Sequence, residues 1–282
     1  MIRLENVTYK YPGGPTVLQD ITLHIDRGDF VALLGANGSG KTTLLKLLNG
    51  LLRPCTGRVV IDGQDISQIR TSQLARRVGF LFQNPDHQIF CRTVYEEIAF
   101  GLKNTGHPAP AIPQLVTEAA QRVGLVHLLS APPYALSKGQ RQLVALASVL
   151  ALRTPVLVLD EPTTGQAHSA GLAVMELVKQ LNREGQTIIM VTHDLELALS
   201  YTRRAIVLQD GRIVVDGPTR SILARSETLH AAGLEQPQIC RLASMLQKRF
   251  PAWSSLHRAG TAPEMLSAIL HCRGGETDGC PA

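Results

Sequence analysis

The chain has 282 residues, of which 44% are hydrophobic, so it is long enough to bury a large core and its composition argues against disorder. Its longest apolar stretches, such as residues 143–152, are far shorter than the roughly 20 residues that span a bilayer, and its start lacks a secretory signal, so we expect a soluble, cytosolic protein. The net charge of +5 is spread along the chain without a basic block, which disfavours nucleic acid and suits an anionic nucleotide or a membrane surface equally well.

Strand patterns of two kinds run through the chain. Near its start, residues 2–7 and 21–25 alternate apolar and polar side chains, and we expect them to form antiparallel edge strands. The other predicted strands are continuous apolar runs, the pattern of parallel strands that helices cover on both faces. They are residues 30–34, 78–82, 156–160 and 187–192. The sequence therefore predicts an α/β core with an antiparallel β edge subdomain.

Helical patterns fill the region of about residues 84–154, where proline-rich breaks at residues 107–113 and 132–133 separate them. We therefore expect an inserted α-helical subdomain. Asp210-Gly211 lies between two apolar runs and predicts a hairpin, because this dipeptide adopts the positive φ angles of a type I′ turn.

The core is expected to close near residue 220, which gives one domain over residues 1–220 and a C-terminal helical extension over residues 221–282. One predicted helix face in the extension carries Ile239, Leu242, Ala243 and Leu246. Five cysteines form no C-x-x-C pair and no cluster with histidine, so we expect reduced thiols without a zinc or disulfide role. They are Cys55, Cys91, Cys240, Cys272 and Cys280.

A phosphate-binding loop is indicated by the pattern G-x-x-x-x-G-K-T, which follows the apolar run 30–34 and precedes an apolar helix predicted over residues 44–52. Its backbone N–H groups would curl around phosphate oxygens at a helix N-terminus. Lys41 would bridge the β and γ phosphates and the Thr42 hydroxyl would ligate Mg²⁺, whereas an ordinary glycine-rich turn is the plain alternative. The residues assigned to the nucleotide are Gly35, Ala36, Asn37, Gly38, Ser39, Gly40, Lys41, Thr42 and Thr43.

Two carboxylates, Asp160 and Glu161, end a predicted buried strand, which is where an open α/β sheet places its ligand chemistry. Asp160 would hold Mg²⁺, and Glu161 would polarise the attacking water as a general base. Solvated acids at a strand end are common, and the upstream phosphate loop makes the assignment specific. His193 ends the next apolar strand and is predicted to contact the γ-phosphate, although a lone strand-end histidine is usually structural.

Gln83 and Tyr11 complete the predicted site. Gln83 closes the strand over residues 78–82, and its amide oxygen can reach Mg²⁺ or the attacking water, so we assign it to both catalysis and the metal. Tyr11 offers a flat face on which adenine could stack, whereas the alternative is an ordinary surface aromatic. ATP and Mg²⁺ are therefore the predicted cofactors.

A third motif, Leu136-Ser137-Lys138-Gly139-Gln140, lies between the phosphate loop and the acidic strand. With the phosphate loop, Gln83, the acidic strand and His193, it makes the chain resemble an ATP-binding cassette (ABC) ATPase, a P-loop NTPase, over residues 1 to about 220. The resemblance implies that Ser137, Gly139 and Gln140 bind the γ-phosphate of ATP held by a second, head-to-tail ATPase. Physically this is anion binding at a helix N-terminus, with Ser137 as the cap residue.

A narrower resemblance is to the ATPases of energy-coupling factor transporters, which import vitamins, cobalt and nickel. It is carried by residues 82–90, 93–101 and 161–166, and more loosely by residues 233–235 with the helix after Pro237. The resemblance implies a place on the cytoplasmic face of the cell membrane. The implied partners are a second ATPase, a transmembrane coupling subunit docked near residues 83–100, and a substrate-binding membrane subunit. The C-terminal extension would help the two ATPases to pair.

Two residues depart from the family pattern: Lys138 replaces a glycine, and Ala167 replaces an aspartate. Both lie on the face that would serve the partner's nucleotide, so we favour a heterodimer with two unequal sites over a homodimer. The alternative functions are the ATPase of another ABC transporter, either an exporter or a binding-protein-dependent importer, and a non-transport ABC ATPase acting on nucleic acid or ribosomes. The single phosphate loop and the absence of a large insertion disfavour the last class.

Overall fold

The computed structural model describes residues 1–251, Trp253, Leu256 and residues 259–275. The strands are β1 (Ile2–Lys10), β2 (Thr16–Ile25), β3 (Phe30–Leu34), β4 (Thr56–Ile61), β5 (Gln64–Asp65), β6 (Val78–Leu81), β7 (Val156–Asp160), β8 (Thr187–Val191), β9 (Arg204–Gln209) and β10 (Arg212–Pro218). The helices are α1 (Lys41–Leu48), α2 (Thr71–Leu74), α3 (Val94–Asn104), α4 (Ile112–Arg122), α5 (Lys138–Ala151), α6 (His168–Arg183), α7 (Leu195–Tyr201), α8 (Thr219–Leu223), α9 (Ser226–Ala231), α10 (Gln238–Arg249) and α11 (Ala262–Gly275).

The larger sheet has six strands in the order β10-β9-β3-β8-β7-β6, and all neighbours are parallel except β9 and β10. Every residue of β3, β7 and β8 is buried, as continuous apolar runs covered on both faces require. The four predicted parallel strands are confirmed, with β6 and β8 each one residue shorter than expected. Because β3, β6, β7 and β8 are parallel, their carboxyl ends meet at one edge of the sheet.

The smaller sheet has the order β2-β1-β4-β5, and its neighbouring strands pair antiparallel. Alternation in β1 turns Ile2 and Leu4 into the core, where they pair with Ile25 and Leu23 of β2. The antiparallel pairing is confirmed, but β1 is not an edge strand because β4 lies on its other side. The sequence patterns missed β4 and β5, since the first three residues of β4 are exposed and β5 has two residues.

The predicted helical subdomain contains α3, α4 and α5, which share one apolar cluster that includes Ile98, Val116 and Val144. The predicted breaks are present, because α3 ends at Asn104 and α4 begins at Ile112. The helix after the phosphate loop ends at Leu48, earlier than the predicted residue 52, and Gly50 adopts a φ of 71° just beyond it.

The β9–β10 hairpin has the predicted turn, with φ angles of 47° at Asp210 and 74° at Gly211. The turn also connects separate parts of the fold. The Gly211 N–H donates to the carbonyl of Ser39 at 3.1 Å, and the Gly211 carbonyl accepts the Gln19 N–H at 2.8 Å. The hairpin therefore ties β2 and the predicted phosphate loop to the larger sheet.

Apolar packing continues past residue 220. Ile222, Leu223 and Leu229 share a cluster with residues of β3, α7 and β9. A second cluster lies farther along the chain and consists of Ala243, Trp253, Leu256, Ala259 and Met265. On α10, Ile239 and Leu246 pack against this cluster, but Leu242 is 42% exposed and does not share the predicted buried face. The domain boundary and the pairing role of residues 221–282 stay predictions.

Within the described ranges, no helix is long and apolar enough to cross a membrane. Cys55, Cys91 and Cys240 carry free thiols, and burial raises the pKa of Cys240 to about 11. Cys280 lies outside the described residues.

Candidate nucleotide site

The predicted phosphate loop joins β3 to α1 and is shaped by close contacts with distant backbone. A Cβ on Gly35, whose φ is 150°, would lie 2.2 Å from the Leu208 carbonyl oxygen. A Cβ on Gly40, at φ 104°, would lie 2.8 Å from Cδ2 of Leu18. Both positions therefore require glycine, for space as well as for backbone conformation. The loop is held between β2 and the β9–β10 hairpin.

Lys41 lies at the first turn of α1 with its ammonium folded over the loop. Nζ donates to the carbonyl oxygens of Gly35 and Ala36 at 2.8 Å each. Burial lowers the pKa of Lys41, and the nearby carboxylates of Glu161 and Asp160 act in the opposite direction. Ser39 Oγ in the same loop is buried without a hydrogen-bond partner among the described residues. An ammonium and an unpaired hydroxyl beside a helix N-terminus suit an anionic ligand.

The residues predicted to hold Mg²⁺ lie together at the carboxyl end of β7. The Thr42 hydroxyl donates to Asp160 Oδ2 at 3.4 Å. Burial raises the pKa of Asp160, and the charge of Glu161 raises it further. No group of three or more His, Cys, Asp or Glu side chains in the described part of the chain could hold a metal alone. Hydroxyl, carboxylate and amide oxygens from Thr42, Asp160 and Gln83 fit Mg²⁺, which also takes ligands from water and from substrate phosphates.

The Glu161 carboxylate is the meeting point of three polar side chains. Oε2 accepts hydrogen bonds from Gln83 Nε2 at 3.0 Å and from Thr164 Oγ1 at 2.9 Å. His193 Nδ1 lies 3.1 Å from Oε1, and the imidazole is 72% exposed while the carboxylate is 14% exposed. Glu161 adopts a φ of 50°, a conformation that a residue with a Cβ rarely adopts. The structure thus brings together the three predicted catalytic residues, which come from three separate strand ends.

Thr164 is the residue that the sequence patterns missed. Its hydroxyl reaches Glu161 because the chain turns sharply after β7, with the Thr164 N–H donating to the Glu161 carbonyl at 3.2 Å. The only signal in the sequence is a hydroxyl residue three positions after the acid, which is too common to predict a contact.

A cavity of about 260 Å³ lies between the phosphate loop and the carboxyl ends of β6 and β7. Eight of the predicted ligands of the nucleotide and the metal line it together with Glu161, and they are Asn37, Gly38, Gly40, Lys41, Thr42, Thr43, Gln83 and Asp160. Tyr11 lies at its edge, where its hydroxyl is 3.2 Å from Thr43 Oγ1 and its ring packs edge-on against Tyr9 at 5.1 Å between centroids. Tyr11 is 38% exposed, which leaves part of the ring open for stacking.

The Ser137 motif forms the N-terminus of α5 through a complete capping box. Ser137 Oγ accepts the Gln140 N–H at 3.3 Å, and Gln140 Oε1 accepts the Ser137 N–H at 3.0 Å. The Gln140 side chain is therefore engaged with the helix cap. Ser137 is exposed and Gly139 is half-buried. Neither residue lines the cavity at the phosphate loop, so the two groups of predicted phosphate ligands lie apart.

The two departures from the expected pattern, Lys138 and Ala167, border one loop. The stem of Lys138 lies over Gly165, where an added Cβ would be 3.3 Å from Cδ and Cε. Ala167 is the N-cap of α6, and its methyl side chain provides no cap hydrogen bond.

Known proteins resemble this chain along most of its length. A protein from Methanosarcina acetivorans, named for ATP binding in an ABC transporter, is 45% identical over 88% of the chain, which spans only 40% of that relative's length. The chain likewise spans 44% and 42% of two further relatives with such names. An energy-coupling factor transporter ATP-binding protein, EcfA from Methanothermobacter thermautotrophicus, is 36% identical over 98% of the chain and 88% of its own length.

A solved structure has the same fold. CbiO1 from Clostridium perfringens, described as part of the ABC transporter complex CbiONQ, aligns with a TM-score of 0.73 and 35% identity over 86% of this chain and 98% of its own. The family model for ABC transporters matches residues 18–164, which include the phosphate loop, Gln83, the Ser137 motif and the acidic strand end. With the P-loop NTPase fold, these matches show that the chain belongs to the ABC transporter family and resembles its ATP-binding subunits.

Proposed function

We propose that this chain is the ATP-hydrolysing subunit of an energy-coupling factor type importer for a vitamin or a transition-metal ion. The observation that carries the proposal is the convergence of Lys41, Gln83, Asp160, Glu161 and His193 at the carboxyl ends of four parallel strands. The EcfA relative and the CbiO1 neighbour favour this type of transporter.

The chemistry follows from the positions of the side chains. Lys41 and the loop N–H groups bind the phosphates, and Glu161 acts as the general base for the attacking water. Gln83 and His193 orient the carboxylate from two sides. A bound Mg²⁺, held through Thr42 and Asp160, would neutralise charge on the β and γ phosphates.

The exposed Ser137 motif supports action as a pair. It lies outside the cavity of its own phosphate loop, so its phosphate-binding role requires nucleotide on a second ATPase. Two ATP molecules would then be enclosed between two head-to-tail domains. ATP must bind the closed pair more tightly than the open one by more than the cost of rearranging the membrane subunits.

The helical subdomain offers a surface for the transmembrane coupling subunit near Gln83. Phe90 and Phe100 are 64% and 44% exposed, and their rings pack edge to face with centroids 4.6 Å apart. A pair of exposed aromatic rings on a water-facing surface is typical of an interaction site. We place the chain peripherally on the cytoplasmic membrane face through this contact, with a substrate-binding membrane subunit as the third partner.

Lys138 and Ala167 favour a heterodimer over a homodimer. Both adjoin the surface that would face the partner's nucleotide, and Ala167 lacks the polar atom that a cap residue supplies. The phosphate loop of this chain, paired with the partner's counterpart of residues 136–140, would form a site that hydrolyses ATP quickly. The partner's phosphate loop, paired with residues 136–140 of this chain, would form a site that hydrolyses ATP slowly.

Affinity purification of the tagged chain from detergent-solubilised membranes tests the proposal. We expect a transmembrane subunit and a second ATPase to copurify, and the complex to hydrolyse MgATP. The matched control is Lys41→Ala, which should retain the partners and lose hydrolysis. Copurification with ribosomes or nucleic acid and no membrane subunit would favour a non-transport ATPase. Recovery with an exporter or with a soluble substrate-binding protein would indicate another ABC transporter class.

A further inference from the structure

The segment Gly233–Gln238 connects the core to α10 and touches the phosphate loop on the way. Gly233 adopts a φ of 69°, and a Cβ added to it would lie 3.2 Å from the Cβ of Ala36. That separation is closer than ordinary van der Waals contact between carbon atoms. The backbone of Gly233 therefore abuts the loop that is predicted to hold the phosphates.

The same segment is bonded to the helix that follows His193. The Gln238 N–H donates to Glu196 Oε1 at 2.7 Å. Glu196 lies in the first turn of α7, where Asp194 Oδ1 caps the Glu196 N–H at 3.0 Å. Gln238 is also the first residue of α10. The start of α10 is thus attached to the turn that presents His193.

The middle of the segment is fixed to the core. Gln236 is 8% exposed, and its Nε2 donates to the carbonyl oxygens of Leu223 at 3.0 Å and Ala224 at 2.9 Å. Leu234 belongs to the cluster that covers β3 and β9. Because the segment is anchored to the core beside Ala36, a shift of the phosphate loop would change the packing between the loop and the segment. The loop, the His193 turn and the segment also line one open cavity of about 490 Å³.

We propose that Gly233 is a positioning residue for the phosphate loop, and that the segment Gly233–Gln238 transmits nucleotide binding to α10 and the cluster around Trp253. The inference rests on the proposed function only in requiring that residues 35–42 bind ATP. Gly233 leaves the space beside Ala36 free, because an added Cβ would lie 3.2 Å from the Ala36 Cβ. Through its hydrogen bond with the Gln238 N–H, Glu196 links a shift of the phosphate loop to the first turn of α10.

Gly233→Ala tests the packing step. The added methyl group displaces Ala36, and we expect the Kd for MgATP of the full chain to rise about tenfold by isothermal titration calorimetry. The matched control is Gly124→Ala, because Gly124 has a φ of 73° and an added Cβ there would meet no atom within 4 Å. It carries the same backbone strain without the contact, so its Kd should match that of the wild type.

Ala36→Gly in the Gly233→Ala background separates contact from general damage. Removing the Ala36 methyl group restores the space, so the double variant should bind MgATP as Ala36→Gly alone does. Thermal unfolding of every variant checks that the fold is retained. A purely structural role for Gly233 would lower the Tm of both Gly233 variants and show no rescue of affinity.

Trp253 reports the second step, because it is the chain's single tryptophan and its ring stacks on Phe250 at 4.4 Å between centroids. MgATP should change its fluorescence in a saturable way. Glu196→Leu removes the acceptor for the Gln238 N–H and should reduce this response severalfold, whereas Glu196→Gln retains an acceptor oxygen and should preserve it.

The outcomes are distinct. If the wild-type chain does not bind MgATP, the proposed function fails and the inference fails with it. If the wild type binds and Gly233→Ala binds equally well, the positioning role of Gly233 is overturned alone. If Trp253 fluorescence does not respond to MgATP, or Glu196→Leu responds as the wild type does, the transmission to α10 is overturned.

Discussion

Two helix N-termini in this chain are predicted to bind phosphate, and they are built in opposite ways. At α1 the N-cap is Gly40, which has no side chain to cap the helix, so the first N–H groups stay open to a ligand. At α5 the capping box of Ser137 and Gln140 pairs the N–H groups of these two residues within the chain. The first terminus is therefore left for its own ligand to complete. The second has a side-chain cap of its own, and Ser137 is exposed there.

The largest expected effect concerns the α1 side. Glu161→Gln removes the proposed general base and introduces a side chain of similar size, so turnover should fall by about 10²–10⁴-fold with ATP still bound. The measurement is the steady-state ATPase rate of the copurified complex. In the proposed heterodimer, replacing the corresponding acid of the partner should leave most of the turnover. Equal losses from the two variants would contradict the unequal sites.

The next prediction concerns the α5 side. Ser137→Asp retains an oxygen that caps the helix but directs a negative charge toward the phosphate that the proposed partner would hold. We expect a Tm close to that of the wild type and a loss of about tenfold or more in turnover at the slow site, from roughly 1.4 kcal/mol of repulsion. The rate is measured in a complex whose fast site carries Glu161→Gln, because the fast site would otherwise dominate the turnover. MgATP binding to the isolated chain should not change, because Ser137 lies outside its phosphate-loop cavity. Weakened binding by the isolated chain would show that the two termini serve one site.

Asp160 links activity to stability with a definite sign. Burial raises its pKa above the ordinary value of 3.8, so the native state binds the proton more tightly than the unfolded state. Its contribution to stability is full below the unfolded pKa and is lost as the pH rises through the raised native pKa.

Asp160→Asn should therefore increase the free energy of unfolding at neutral pH and flatten its dependence on acidic pH, while Mg²⁺-dependent hydrolysis is lost. Urea denaturation at several pH values measures the first effect, and the ATPase rate measures the second. An unfolding free energy below that of the wild type at neutral pH would show that the ionised carboxylate stabilises the empty site.

The smallest expected effect is at α6. Ala167→Asp supplies the missing N-cap acceptor and should stabilise the protein by about 1 kcal/mol. The midpoint of urea denaturation reports this gain, and Ala167→Asn tests whether the oxygen suffices without the charge. Unchanged midpoints in both variants would mean that the residues before α6 cannot adopt a capped geometry. A faster rate at the slow site would connect the cap to the paired ATPase.

Local chemistry predicted much of this fold. The apolar runs of β3 and β7 were located to the residue, and Ser137 was identified as the cap of α5, because each depends on neighbouring residues alone. The strand β4 was missed since its burial comes from pairing with β1, far away along the chain. Leu242 has the correct helical spacing, yet it is exposed because no described element covers it.

For the candidate site as well, the sequence predicted the residues but not the contacts between them. The strand ends that carry Gln83, Glu161 and His193 were evident from the patterns, and the parallel sheet brings them together. Their hydrogen bonds were not predictable, because they depend on how the chain turns after β7. Thr164 and Gly233 show this most clearly, since the folded backbone alone brings Thr164 to Glu161 and Gly233 beside Ala36.

The contacts of the β9–β10 hairpin have a consequence for synthesis on the ribosome. Gly35 lies against the Leu208 carbonyl and Ser39 is bonded to Gly211, so residues made late shape a loop made early. In a nascent chain, Lys41 is synthesised long before the β9–β10 hairpin that packs against its loop. We expect it to acquire ATP affinity only after the hairpin has emerged, and a fragment ending before β9 should show no MgATP binding. The order of synthesis would thus delay nucleotide binding until all strands of the larger sheet can pair.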